Sequence, residues 1–251
     1  MADAYVPYCG RPPVPGGVTW NLDPILFAVL LVLLAALLWT VGPSRRDRTF
    51  ALVGWGICAA ALMSPLCNLS MALFSARVGQ HVIMALVGAP LIAVAMGQPG
   101  ALRRRLQAHS RHFEVVAAPL GFAVLLWVWH MPGGYDATLR SDLVYWTMHT
   151  TLFFSALWFW RVLLDEETLS AAGAFVTGLA TGFQMSILGA VLALNSRALF
   201  SVHLTTTQAW GLTPLQDQQL GGMIMWVPAG VLLTGYAIFA FGMAMRKAST
   251  E

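Results

Sequence analysis

Apolar runs of membrane-crossing length recur from near the start of this chain to near its end. Soluble domains carry about 25% charged residues, whereas 10% of these 251 residues are charged and 58% are hydrophobic. In lipid each crossing segment must be a helix, because only a helix satisfies its own backbone hydrogen bonds. The sequence therefore predicts an all-α, polytopic membrane protein, a seven-transmembrane-helix bundle. The predicted spans are Pro24–Val41, Phe50–Leu66, Gln80–Gly97, Phe113–Met131, Asp142–Leu164, Leu169–Leu194 and Leu220–Met245.

Basic residues are distributed unevenly between the two sides of this predicted bundle. The side that includes the C-terminus holds ten Lys and Arg residues, and the other side holds four, Arg11, Arg77, Arg140 and Arg197. The positive-inside rule then places the N-terminus outside and the C-terminus in the cytoplasm. We expect an irregular extracytoplasmic segment at residues 1–23, a transmembrane domain at 24–245 and a cytoplasmic tail at 246–251. A net charge of +3 confined to short loops does not indicate nucleic-acid binding.

Four of the six histidines converge on the outer half of the predicted bundle. His81 begins the third span and His130 ends the fourth, both on the outer side. His149 lies about two turns into the fifth span, roughly 10 Å below its outer end. His203 falls in the outer loop between spans six and seven, and Asp217 opens the seventh span from outside.

Metal binding would explain ionisable groups at this depth, since such groups are costly in a membrane without a partner or a role. Neutral imidazole binds copper, zinc, iron and nickel, and thioether sulfur selects Cu(I). Met84 follows His81 by three residues, on the same helical face, and Met131 adjoins His130. The pattern predicts a copper site with ligands on different helices. Its predicted ligands are His81, His130 and His149, with Met84, Met131, Asp217 and His203 as possible additional donors.

Each of these residues also has a structural explanation. A single histidine inside a span is often a hydrogen-bond partner, and His130 ends a helix, where imidazole is electrostatically favoured. His203 is expected to be solvated, and Asp217 to cap its own helix. Cys9 and Cys67 both lie on the predicted outer side. The sequence leaves three alternatives for them: a disulfide, two free thiols, or a soft entry point for a metal ion.

Sequence motifs of conventional enzymes are absent, which predicts a protein that is not an enzyme. The chain has no Walker A loop, GxSxG elbow, HExxH or CxxCH motif. Haem ligated by two of the span histidines is the alternative, as in a membrane redox protein. A small-molecule or ion transporter is a further one, although transporters usually show interrupted helices near the midplane.

Three blocks of sequence are similar to the multi-spanning CtaG family of cytochrome c oxidase assembly factors. They are FSARVGQHVIMALVGAPLIAVAMG (Phe74–Gly97), WHMPGGYDATLRSDLVYWTMHTTLFFSALWFW (Trp129–Trp160) and QDQQLGGMIMWVP (Gln216–Pro228). With the number and order of spans, the resemblance covers nearly everything from the first helix onward. It implies a role in maturing a haem–copper terminal oxidase, by supporting copper acquisition.

The resemblance also implies a location, partners and site residues. The location is the bacterial plasma (inner) membrane, with multiple passes through the lipid bilayer. The partners are cytochrome c oxidase subunits and periplasmic copper chaperones. The site residues carried over are His81, His130, His149 and Asp217, with Gln218 and Gln219 in supporting positions. One residue departs from the family pattern: Arg77 stands where many members have a histidine.

Overall fold

Residues 5–97, 111–165 and 168–248 are described by a computed structural model, and within them the secondary structure is helical, without β-strands. The arginine-rich connection at 98–110, which contains His109 and supports part of the orientation argument, lies outside these residues. The helices are α1 Pro24–Thr40, α2 Arg45–Met63, α3 Pro65–Leu69, α4 Phe74–Ile83, α5 Ala89–Ala95, α6 Arg111–His130, α7 Pro132–Thr138, α8 Asp142–Leu163, α9 Ala171–Ala193 and α10 Pro214–Ala248. A π-helical turn, Met84–Gly88, joins α4 to α5.

Three helical stretches among the described residues are long and apolar enough to cross a membrane by length and composition. They are Phe74–Ala95, Phe113–His130 and Ala171–Ala193. Helix α1 is apolar but has only 17 residues. The predicted all-α membrane class is therefore supported, while the count of seven spans and the orientation of the termini stay predictions.

The third predicted span starts earlier than expected, at Phe74 and not at Gln80. Its N-cap residue, Leu73, offers no side-chain hydrogen bond. The carboxylate of Asp217, on α10, instead accepts hydrogen bonds from the Phe74 and Ser75 backbone N–H groups, at 2.6 and 3.1 Å. This cap comes from a residue more than 140 positions away, so no local pattern could place it. The same correction moves Arg77 from a loop into α4, where it is fully buried.

Two prolines interrupt the backbone ladder, and side chains from other helices satisfy the freed carbonyls, as the sequence predicts for prolines in spans. In the π-helical turn the N–H of Ala89 reaches the carbonyl of Met84. The next residue, Pro90, has no N–H, and Trp160 Nε1 donates to the unmatched Ala85 carbonyl at 2.8 Å. Similarly, Gln80 Nε2 donates to the Ala61 carbonyl at 2.8 Å, four residues before Pro65.

Close helix packing joins α9 to α10, where the sequence predicts it from glycines in the sixth span. A Cβ atom on Gly189 would lie 2.8 Å from the carbonyl oxygen of Gly222, and one on Gly182 would lie 3.4 Å from Leu233 Cβ. Small residues at such contacts let two backbones approach closely. This packing fixes α10, and hence Asp217, against α9 and α4.

The N-terminal segment before α1 covers one end of the bundle. Cys9 of this segment forms a disulfide with Cys67 on α3. The structure thus selects one of the three alternatives that the sequence left open. Asn68 Nδ2 donates to the Cys9 carbonyl at 2.8 Å, and Tyr8 stacks on Tyr145 with ring centroids 5.2 Å apart. The segment is therefore fastened to α3 and α8.

Candidate functional site: a buried histidine cluster

Three imidazoles from three helices meet inside the bundle. His81 lies two turns into α4, His130 ends α6, and His149 lies two turns into α8. The ring centroid of His81 is 5.2 Å from that of His149 and 5.9 Å from that of His130. All three side chains are buried. The sequence prediction that these histidines converge is therefore consistent with the structure, although His81 lies deeper in its helix than expected.

Hydrogen bonds fix the rings of His130 and His149 through Nδ1, and Nε2 of each ring has no partner in the described part of the chain. His130 Nδ1 lies 2.7 Å from the Leu126 carbonyl, and His149 Nδ1 lies 3.0 Å from the Tyr145 carbonyl. A carbonyl only accepts, so Nδ1 must carry the proton and Nε2 must present a lone pair. Within the described part of the chain, neither Nε2 atom has a hydrogen-bond partner, and His81 has none at either nitrogen.

The three histidines line a small cavity whose wall is mainly apolar. Its volume is about 20 Å³, which is room for about one water molecule. The three histidines share its wall with Met84, Met185 and Met225. Met84 was predicted, whereas Met185 was not, because nothing in its local sequence distinguishes it from a packing residue.

Two of the three ring separations can be compared with those of imidazoles that share one ion. Two imidazoles bound to one tetrahedral ion, with metal–nitrogen bonds of about 2.0 Å, have ring centroids roughly 5 Å apart. The observed separations of 5.2 and 5.9 Å approach that value. Among the described residues, no group of three or more His, Cys, Asp or Glu side chains is close enough to hold a metal ion as the side chains stand. Buried ring nitrogens without a hydrogen-bond partner are energetically costly, which makes this cluster the candidate functional site.

The structure does not bring the other predicted donors to this cavity. Asp217 is committed to the start of α4, and Met131 is 51% exposed. Gln218 accepts a hydrogen bond from the Leu199 N–H at 2.7 Å, and Gln219 donates to the Asn195 carbonyl at 3.4 Å. These three polar residues therefore hold α10 in place through neighbouring backbone groups.

His203 is buried, which corrects the expectation that it is solvated. It is 2% exposed, and its Nε2 lies 2.7 Å from the Tyr135 hydroxyl, while its Nδ1 lies 3.3 Å from the Thr206 hydroxyl. Burial lowers the pKa of His203 to about 3, with the charge of Arg77 as the next cause. His203 thus stays neutral and joins its loop to α7, away from the three-histidine cavity.

Arg77, which the sequence identifies only as a departure from the family pattern, lies buried close to the histidine cluster. Its guanidinium carbon lies 5.5 Å from the Tyr135 ring centroid and 5.4 Å from that of Tyr145. Nη1 donates to Thr138 Oγ1 at 3.1 Å. Tyr145 in turn contacts the His149 ring, with centroids 4.1 Å apart. A buried cation therefore lies one aromatic ring away from the imidazole cluster.

Together these features define an all-α protein with membrane-capable helices and a buried cluster of three imidazoles. A family model described as "cytochrome c oxidase caa3 assembly factor (Caa3_CtaG)" matches residues 25–247. The chain therefore belongs to the family of caa3-type cytochrome c oxidase assembly factors, as the resemblance in three sequence blocks predicted. Comparisons with curated proteins and with solved structures found no match.

Proposed function

We propose that this protein is a non-enzymatic assembly factor that supports copper acquisition by a haem–copper cytochrome c oxidase. Membership of the assembly-factor family supports the general role. The copper step depends on one observation: three histidines line one small cavity, and four of their ring nitrogens have no hydrogen-bond partner in the described part of the chain. The ion would be held by His81, His130 and His149, with thioether sulfur from Met84 within the same wall.

Copper suits these donors chemically. Neutral imidazole and thioether are ligands that Cu(I) accepts, and bound copper would supply the metal that the client oxidase needs. The Leu126 and Tyr145 carbonyls hold the rings of His130 and His149 with the lone pairs of Nε2 available. Such second partners fix the tautomer and orientation of a ligating histidine. The rest of the cavity wall is mainly hydrocarbon, which offers the ion no competing ligand.

The proposed location is the bacterial inner membrane, with the histidine cluster toward the periplasmic side. Ten basic residues on one predicted side support that orientation. Burial of Arg77 within α4 removes one of the four basic residues counted on the other side, which strengthens the asymmetry. The Cys9–Cys67 disulfide supports it too, since disulfides persist in oxidising compartments such as the periplasm.

The proposed partners are subunits of the oxidase and periplasmic copper chaperones. The lipid bilayer surrounds the protein, and no feature of the charge distribution favours nucleic acid. Haem is the weaker alternative, because a cavity of about 20 Å³ between the rings suits an ion much better than a porphyrin. The transporter alternative gains no support from the cavity, because a volume of about 20 Å³ gives no pathway through the bundle.

Elemental analysis of purified protein tests the proposal. All proteins carry Cys58→Ala, because Cys58 is the free, buried thiol among the described residues and would itself bind Cu(I). The protein is loaded with Cu(I) in ascorbate, which spares the disulfide, beside a His81→Ala/His149→Ala double variant. We expect about one copper per chain in the parent protein and almost none in the double variant. His203→Ala is the matched control, because it removes a buried histidine outside the cavity and should leave copper content unchanged.

Two results would count against the copper step. Copper missing from the folded parent protein would leave the assembly role without a metal at this site. Copper retained by the folded double variant would place the ion elsewhere. A Soret band in the purified protein would instead favour the haem alternative.

A further inference from the structure

Arg77 places a permanent positive charge beside the proposed ion site. It precedes His81 by four residues on α4, so the two side chains share a helical face. Arg77 is 0% exposed. Its guanidinium is held by the rings of Tyr135 and Tyr145 and by the hydroxyl of Thr138. The charge is therefore fixed in position and removed from water.

No carboxylate neutralises this charge within the described part of the chain. Arg77 forms no ion pair there, and its remaining contacts are the Ser70 carbonyl at 3.5 Å and the Met71 sulfur at 3.7 Å. The described residues that line the histidine cavity include no acidic side chain. Asp217 is the nearby buried acid, and its oxygens accept hydrogen bonds from the start of α4.

Such an environment discriminates between ions by charge. The repulsion between Arg77 and a bound ion is proportional to the ionic charge, and it is strong where the effective dielectric constant is low. The cost of removing an ion from water rises with the square of its charge, so a divalent ion pays about four times as much as a monovalent one of the same size. Three neutral imidazoles would otherwise be a good zinc site.

We infer that Arg77 makes the histidine cavity selective for a monovalent soft cation, Cu(I) or its analogue Ag(I), over divalent ions. This inference rests on the proposed function, because it concerns the same three histidines. Arg77 acts as a specificity-determining residue that does not touch the ion. Arg77 thereby contributes charge to the site and no ligand.

Competition between Ag(I) and Zn(II) on detergent-solubilised protein tests the inference without any redox step. All proteins carry Cys58→Ala, because Cys58 is the free, buried thiol among the described residues and would bind silver. We expect the parent protein, which keeps Arg77, to bind one Ag(I) and to prefer Ag(I) to Zn(II) by at least about a hundredfold. Equal or stronger Zn(II) binding by this protein would overturn the inference.

Two variants separate charge from shape. Arg77→Met removes the charge and should lower the preference for Ag(I) at least about tenfold, whereas Arg77→Lys keeps the charge and should retain the preference. Thr138→Asp leaves Arg77 in place and supplies a carboxylate where its Nη1 now donates to Thr138 Oγ1. It should also lower the preference, which keeps the test available if Arg77→Met does not fold.

The outcomes distinguish a failure of the proposed metal site from a failure of the role given to Arg77. If neither ion binds to the folded parent protein, the proposed metal site fails together with this inference. If Ag(I) binds and depends on His81 and His149, but Arg77→Met and Thr138→Asp leave the Ag(I) to Zn(II) ratio unchanged, the site stands and the role of Arg77 is wrong.

Discussion

The three histidines of the cavity differ in how firmly each ring is held. His130 and His149 each have one nitrogen fixed by a backbone carbonyl one helical turn earlier. His81 has neither nitrogen bonded within the described residues, so no hydrogen bond fixes the orientation of its ring. In the proposed copper site, His130 and His149 would therefore be the ligands whose orientation is fixed in advance, and His81 the ligand without such a constraint.

His203 gives a prediction about pH at the residue scale. In the unfolded chain His203 takes up a proton near pH 6.5, but burial lowers its pKa to about 3 in the folded protein. The contribution of His203 to the free energy of unfolding is therefore complete above about pH 6.5, and it is lost progressively as the pH decreases toward 3. The slope from this residue is at most about 1.4 kcal/mol per pH unit.

Replacing His203 with Phe should make stability less dependent on pH between about pH 6 and 4. Thermal unfolding in detergent at a series of pH values measures this. Thr206→Val is the control, because it removes a hydroxyl that contacts His203 Nδ1 while keeping the titratable ring. An unchanged slope in His203→Phe would mean that the imidazole is protonated in the folded protein, through the Tyr135 contact or otherwise.

At the scale of elements, the helix that carries His81 depends on a cap from another helix. Asp217→Asn keeps the shape of the side chain but replaces one accepting oxygen with an NH₂ group facing backbone donors. We expect a loss of about 1–3 kcal/mol of unfolding free energy, measured by denaturant or thermal unfolding. Gln216→Ala removes the hydrogen bond that Gln216 Oε1 accepts from the Thr213 N–H at the start of α10, and it should cost less, about 0.5–1 kcal/mol. Equal losses of unfolding free energy in the two variants would show that the cap on α4 stabilises the protein no more than a local hydrogen bond at the start of α10.

The N-terminal segment is a second element whose attachment can be tested. The Cys9–Cys67 disulfide closes a loop with a sequence separation of 58, and such cross-links typically contribute about 2–4 kcal/mol by restricting the unfolded chain. Cys9→Ser/Cys67→Ser should unfold at lower temperature and be cut by protease between residues 5 and 23. Resistance equal to that of the wild type would mean that the Tyr8 and Asn68 contacts hold the segment alone.

The sequence predicted the existence and type of the long helices because their apolar runs are local patterns. It also predicted that His81, His130 and His149 face one region, because alternation of spans fixes which helix ends share a side. It could not predict the start of α4 or the burial of Arg77. Both depend on contacts with α10 and α7, which are distant in the chain.

At the scale of the whole molecule, the predicted topology has a direct test. Ser44, before α2, and Thr205, between α9 and α10, are both exposed. Seven spans with the N-terminus outside would put Ser44 in the cytoplasm and Thr205 in the periplasm. Single cysteines at these positions, in a Cys58→Ala background, should therefore differ in their reaction with a membrane-impermeant maleimide.

In intact cells we expect Thr205→Cys to be labelled and Ser44→Cys to be labelled only after the membrane is permeabilised. Five predicted spans lie between the two positions, so an odd number of crossings must separate them. The reverse pattern would invert the bundle and place the histidine cluster toward the cytoplasm, next to a different source of copper. Labelling of both positions in intact cells would mean an even number of crossings. In that case one of α2, α8 or the three apolar stretches does not span the membrane.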